Sequence, residues 1–249
     1  MDLPDPQSKG QQSGSWGLWA TIGLSCLILL AYFFCGTLVT AGFIGSSPTP
    51  DIKPDVDQLM SNGLLVTLII LISSPFTVAL TLLLVKLRKG MSPKQYLGLH
   101  EIHWRDILKW CFALLLLAAA SDLLDVLLGR PIVQSFMLNI YLTAPDKLLL
   151  WIAIIIAAPV SEEFFFRGFL FTGILHSKLG PWGAVILSSL AWAPLHNQYD
   201  PYGMATVMVL GLLFGLARLK TDSVYTTIGM HALTNFVAAM EVMVHLSRS

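Results

Sequence analysis

Charge is what this sequence has least of: Asp, Glu, Lys and Arg make up 12% of its 249 residues, against about 25% in a soluble globular domain. That deficit excludes an ordinary water-soluble domain. The 15 basic and 15 acidic side chains cancel to a formal net charge of zero, so no basic excess offers itself to a polyanion and nucleic acid is excluded as a partner. Cysteine is scarce too. Cys26, Cys35 and Cys111 stand singly in apolar surroundings, without a CxxC pair or zinc-cage spacing, which argues against disulfides and thiolate chemistry. No internal repeat or low-complexity tract is present. Neither G-x-S-x-G nor a pair of intramembrane aspartates occurs, so no seryl or aspartyl protease is visible.

What fills the chain is apolar sequence: 55% of residues are hydrophobic and the mean hydropathy is +0.71. Runs long enough to cross a hydrocarbon core of about 30 Å recur along it. They fall near Leu18–Ile44, Leu64–Val85, Ile107–Leu128, Leu148–Leu175, Pro181–Leu195, Tyr202–Ala217 and Ser223–Leu246. The expected fold is all-α: a polytopic integral membrane protein of about 7 to 8 transmembrane helices in one bundle. Residues 16–249 read as a single membrane domain behind a polar tail, residues 1–15. The first run, about 27 residues, is too long for a signal-peptide core and reads as a retained span. Ser46–Asn62, rich in proline, reads as a surface loop. Positive-inside counting puts Lys9, Lys86, Arg88, Lys89, Lys94, Arg105, Lys178, Arg218 and Lys220 on the cytoplasmic side, opposite Lys53, Arg130, Lys147 and Arg248.

Two segments are short. Pro181–Leu195 and Tyr202–Ala217 hold about 15 apolar residues each, roughly 22 Å of helix. The turn between them, HNQYDPYG, should dip to membrane depth, where irregular polar backbone is tolerated only in the shelter of protein or beside a wet cavity. A polar intramembrane cavity follows.

The stretch APVSEEFFFRGFLF sets charge in one of the most apolar parts of the chain. Near mid-span each of Glu162 and Glu163 costs roughly 2.5 to 3.5 kcal/mol on insertion scales, so both must face protein or water. Glu163 and Arg167, four apart, can pair on one helix face, while Glu162 points about 100° away. A buried ion pair that only locks helices together would explain one glutamate. One arginine does not neutralise two acids, so some other group must serve Glu162, and Pro159 can loosen the helix to admit water.

Partners come from two later segments, WAPLH (Trp192 to His196) and HALTN (His231 to Asn235). Each histidine alone reads as a hydrogen-bonded packing residue. Counted at about 1.5 Å per residue, however, Glu162 and His196 both lie about 24 Å from the same loop. His231 and Asn235, on one face of the last helix, reach that level with tilt or a dipping loop.

Other polar residues read as structural. Asp122 and Asp125 sit near Arg130 at a helix end, and Glu241 and His245 are four apart at the far end of the last helix. HEIHW, His100 to Trp104, misses the zinc motif H-E-x-x-H by one residue. GLLFG, Gly211 to Gly215, is a small-xxx-small packing face.

EEFFFR has the form E-E-x-x-x-R, WAPLH stands where F-x-x-x-H is expected, and HALTN has the form H-x-x-x-N. With these three motifs in order, the chain resembles, over about Leu148–Phe236, the CPBP or Abi family of intramembrane proteases, relatives of the type II CAAX prenyl endopeptidases. The resemblance implies a helical bundle with a polar cavity, a catalytic core at 148–236, and site residues Glu162, Glu163, Arg167, His196, His231 and Asn235. It implies an endopeptidase acting on a membrane-associated or lipid-modified peptide or protein, with the bilayer as its other partner, in the inner (plasma) membrane.

In that chemistry Glu162 would activate a water held jointly with His196, His231 and Asn235 would donate to the oxyanion, and Glu163 and Arg167 would orient the helix. Either no cofactor is used, or one divalent metal such as zinc is held by Glu162, His196 and His231. Trp192 replaces the usual phenylalanine, an aromatic exchange expected to reshape the pocket wall and leave the chemistry untouched. The family's links to bacteriocin self-immunity and to scaffolding keep a non-proteolytic binding protein as the alternative. A transporter fits less well, because the polar residues form one late cluster instead of lining a path between two halves.

Overall fold

Helices account for every regular element in the computed structural model, which describes residues 14–46 and 55–248. In chain order they are α1 (Leu18–Gly45), α2 (Val56–Met60), α3 (Gly63–Leu87), α4 (Pro93–Leu97), α5 (Trp104–Leu127), α6 (Ser135–Thr143), α7 (Lys147–Leu175), α8 (Gly180–Trp192), α9 (Pro201–Thr221) and α10 (Val224–Arg248). Lys9 and Lys53, which enter the orientation count, lie outside the described residues, as do residues 1–13 of the tail and 47–54 of the first loop.

Six of these helices, α1, α3, α5, α7, α9 and α10, are long and apolar enough to cross a membrane. The chain is a multi-pass integral membrane protein. A seventh crossing at Pro181–Leu195 does not materialise at full length: α8 has 13 residues, about 20 Å, before a 3-10 turn at Ala193–Leu195. The opposite happens next door. α9 outruns its apolar stretch, reaching 21 residues, because its ends are polar and satisfied. Asp200 caps the first turn by accepting from the Gly203 amide, and Arg218 near the C-terminus pairs with Asp222 at 2.9 Å.

The connectors carry their own start and stop signals. Ser92 and Gln95 form a reciprocal capping box at α4, satisfying amide donors that open every helix. Gly98, at φ +67°, ends α4 with the Arg218 guanidinium so close that a Cβ there would lie 2.2 Å from it. HEIHW turns out to be a stitch: Ser223 Oγ donates to His100 O at 2.7 Å, and the Val224 amide donates to Gly98 O at 2.9 Å.

α7 is the hub of the bundle. It packs against α1, α3, α8, α9 and α10, and Phe165, Phe166, Phe169 and Phe171 are all almost fully buried. Lipid tails are as apolar as these rings, so what favours their burial is close packing more than escape from water. α5 is the contrast: only Leu114 is buried, while Leu108, Leu116, Leu123, Leu124 and Leu127 are exposed.

Proline leaves a visible mark on α7. Two stretches, Ile152–Ala157 and Phe164–Leu170, are wound as π-helix on either side of Ala158–Glu163. The Ala158 amide bonds to Ala153 O, five residues back. The next donor in that register would be residue 159, which is proline and has none. Such π turns are a known response to a broken ladder and recur at functional sites.

Candidate active site

Glu163 and Arg167 pair as their spacing predicts. Arg167 Nη1 lies 3.1 Å from Glu163 Oε1, and both side chains are completely buried. Further contacts hold the arginine: Nη2 donates to Gly211 O at 3.3 Å, and the guanidinium lies over the rings of Trp192 at 4.5 Å and Phe214 at 5.5 Å, while the buried Nε has no hydrogen-bond partner among the described residues. Arg218 Nε donates in turn to Arg167 O at 3.0 Å. Gly211 and Gly215 of GLLFG bring α9 against α8, since a Cβ on either would stand 3.1 Å from Trp192 and Ser189 or from Val185.

His231 joins the pair. Its Nδ1 is 3.0 Å from Glu163 Oε1, and since a carboxylate only accepts, Nδ1 carries the proton. In the neutral ring Nε2 is therefore an acceptor, and it can donate only when the ring is doubly protonated. Glu163 thus serves two cations or donors at once.

Glu162 is served by a group the sequence reading passed over. Trp192 Nε1 donates to Glu162 Oε2 at 2.6 Å. The exchange of phenylalanine for tryptophan does more than reshape a wall, because only the indole carries an N–H. The signal was in the residue type. The same ring is 4.7 Å, edge to face, from the His196 ring and 5.4 Å from that of His231. His196 Nδ1 approaches Trp192 O at 3.4 Å.

Asn235 also has a partner. Its Nδ2 donates to the main-chain oxygen of Ile154 at 2.6 Å.

Glu162, His196, His231 and Asn235 line one cavity of about 230 Å³. Glu163 and Arg167 lie behind that wall. The rest of the lining is mainly apolar, from Val66, Ile70 and Ile140 to Leu150, with Gln198 and Tyr199 adding polar groups from the HNQYDPYG turn. An adjoining cavity of about 160 Å³ is lined by Asp122, Asp125 and Glu241, and Met137, Tyr199 and Ala238 border both. Arg130 lies 3.5 Å from Asp125, as the sequence suggests, and also pairs with Asp200.

All three motifs thus meet around one space. Residues 144–237 match the type II CAAX prenyl endopeptidase Rce1-like family. The Rce1-like segment contains every candidate residue from Glu162 to Asn235. The chain is also similar to an uncharacterized 24.3 kDa protein of Escherichia coli, 26% identical over 113 residues, covering 42% of this chain and 52% of the relative. The chain therefore spans about half the length of that curated relative. No solved structure matches.

A metal requires ligands that converge. Among the described residues no three His, Cys, Asp or Glu side chains are grouped to hold an ion. Within the Rce1-like segment the Trp192 indole takes one oxygen of Glu162 and Glu163 takes Nδ1 of His231, which leaves the second Glu162 oxygen and His231 Nε2 open. As arranged, Glu162, His196 and His231 are not drawn together as a three-ligand set.

Proposed function

We propose that this chain is an intramembrane endopeptidase that hydrolyses a peptide bond in a membrane-associated or lipid-modified peptide or protein of the inner (plasma) membrane. One observation carries the reading: Glu162 lies outside the buried Glu163–Arg167 pair and shares a cavity with His196, His231 and Asn235. The Rce1-like match over 144–237 supports the same class of chemistry.

Glu162 takes a proton from a water held with His196, and the resulting hydroxide adds to the scissile carbonyl carbon. The oxyanion is met by the second Nδ2 hydrogen of Asn235. His231, its Nδ1–H held by Glu163, borders the same cavity, and a ring that entered the cycle as imidazolium would add a donor at Nε2 and keep that proton throughout. Glu162 then returns the proton to the leaving nitrogen as the C–N bond breaks, giving one carboxylic acid and one amine for each water consumed. The apolar wall of Val66, Ile70, Ile140 and Leu150 suits a substrate that is itself embedded in lipid.

The test uses full-length protein in nanodiscs with prenylated and unmodified peptide libraries, beside Glu162→Gln and His231→Ala, and measures bound metal on the same preparations. Cleavage by the wild type that both substitutions abolish is the expected result. A Glu162→Gln protein that cleaves at the wild-type rate sinks the mechanism, and stoichiometric metal tied to activity replaces the unassisted water with a metal-bound one.

A further inference from the structure

We propose that Trp192 is a positioning residue for Glu162, setting the rotamer of the carboxylate that faces the cavity. The inference rests on the proposed hydrolase reading but concerns a residue outside its chemical roles. The indole is 3% exposed and its N–H reaches Glu162 Oε2 at 2.6 Å. A glutamate side chain has three rotatable bonds, and a general base has to hold its oxygen within a few tenths of an ångström of the proton it takes. A fixed donor on one oxygen restricts those rotations and leaves the other oxygen for water.

The indole is itself immobilised. The Arg167 guanidinium lies 4.5 Å over one part of it. Phe214 and His231 rings stand at 5.7 and 5.4 Å, and Gly211 approaches where a Cβ would be 3.1 Å from Cε3. Both glutamates of the E-E pair are therefore tied to one packed unit. Glu163 is bound to Arg167, and Glu162 to the ring on which Arg167 stacks. Phenylalanine at position 192 would keep the stacking and lose the hydrogen bond. This is where the chain departs from the F-x-x-x-H pattern it otherwise resembles.

The experiment separates the ring from its N–H. Full-length Trp192→Phe, and protein carrying the N–H-free isostere β-(3-benzothienyl)alanine at 192, are assayed against an internally quenched peptide that the wild type cleaves. The expected result is a fall in kcat of about tenfold to a hundredfold, the size of one hydrogen bond to a charged group, with KM changed less than about twofold. In parallel, the seven indole N–H resonances are recorded, that of Trp192 being assigned by its loss in Trp192→Phe. It should move in Glu162→Ala and stay in place in Gly23→Ala, where an added Cβ meets nothing within 4 Å.

A Trp192 resonance unmoved by Glu162→Ala overturns the proposal whatever the enzyme does. So does a wild-type kcat in the benzothienyl protein, which would leave the ring a packing role only. If Glu162→Gln cleaves at the wild-type rate, the hydrolase mechanism fails and the positioning role, which rests on it, falls with it. The resonance then reports an indole–carboxylate contact without a catalytic purpose.

Discussion

Asn235 Nδ2 donates to the Ile154 carbonyl, the acceptor that Pro159 leaves without a partner in the π register of α7. The amide bond five residues on would have come from position 159, and proline has no hydrogen to give. A side chain from α10 supplies it instead. One consequence is that Asn235 holds the helix carrying Glu162 while also facing the cavity.

Asn235→Leu should therefore destabilise the protein by about 1 kcal/mol, the lower end of the penalty for a carbonyl stripped of its donor, because the Ile154 group is only part-buried. Pro159→Ala restores a backbone N–H beside the same carbonyl. The double variant should lose less than the sum of the two singles, with a coupling of roughly 0.5–1 kcal/mol in reversible unfolding in detergent. Simple additivity would mean that the two residues do not share the Ile154 oxygen.

Breaking the Glu163–Arg167 pair should be far more damaging than its removal as a unit. Arg167→Met leaves Glu163 charged with only the weaker partners His231 and Thr227, and a buried pair broken on one side loses about 3–5 kcal/mol. In Glu163→Gln/Arg167→Met no charge is stranded, and unfolding free energies should show most of the loss recovered. Arg167→Lys should fail to substitute, because a point-charged ammonium cannot stack on Trp192 as the planar guanidinium does.

Two glycines test the packing directly. A Cβ at Gly63 would lie 2.0 Å from the backbone oxygen of Ile140 and 2.6 Å from the Ala144 amide, neither of which can rotate away. Gly63→Ala should lower the midpoint of thermal unfolding by several degrees, in keeping with an overpacking loss of about 1–3 kcal/mol. At Gly23 nothing lies within 4 Å of an added Cβ. Gly23→Ala should leave the midpoint unchanged or raise it by the few tenths to about 1 kcal/mol expected of a helical glycine replaced by alanine.

The Asp200 cap titrates. Its carboxyl is held below the ordinary carboxylate range by the hydrogen bond from the Gly203 amide, then by that from Arg130. A depressed value means that the charged form stabilises the fold. The contribution is complete above the unfolded value, near about 3.9, and is lost as pH falls through the lower folded value. Asp200→Asn keeps an acceptor for Gly203 but not the charge. Its stability deficit against wild type should appear above about pH 4 and vanish in more acidic buffer. No deficit at any pH would assign the role to the cap hydrogen bond alone, which asparagine keeps.

Much of the bundle was legible because its signals are periodic or local. Glu163 and Arg167 share one face by spacing alone, and the shortness of α8 follows from counting its residues. The length of α9 was not legible, because hydropathy stops at the apolar boundary while hydrogen bonding continues to Asp222. Trp192 and Glu162 are 30 residues apart, and tryptophan in an apolar run reads as wall, not donor. The Asn235 contact was hidden for another reason. Its acceptor is main chain and carries no side-chain signature, so the clue was Pro159, which marks the carbonyl by what it cannot give.

α8 closes the account with a property of the lipid around it. Trp182, Ile186 and Leu190 point outward from a helix of 13 residues, roughly 10 Å shorter than the hydrocarbon it adjoins. A hydrophobic stretch that short is accommodated by local thinning of the bilayer. Thinning of that kind would bring headgroups and bulk water down to the end of α8, where Trp192 and His196 stand. Water, the second substrate of the proposed hydrolysis, would then arrive from a dimple in the membrane surface, not through a pore in the protein.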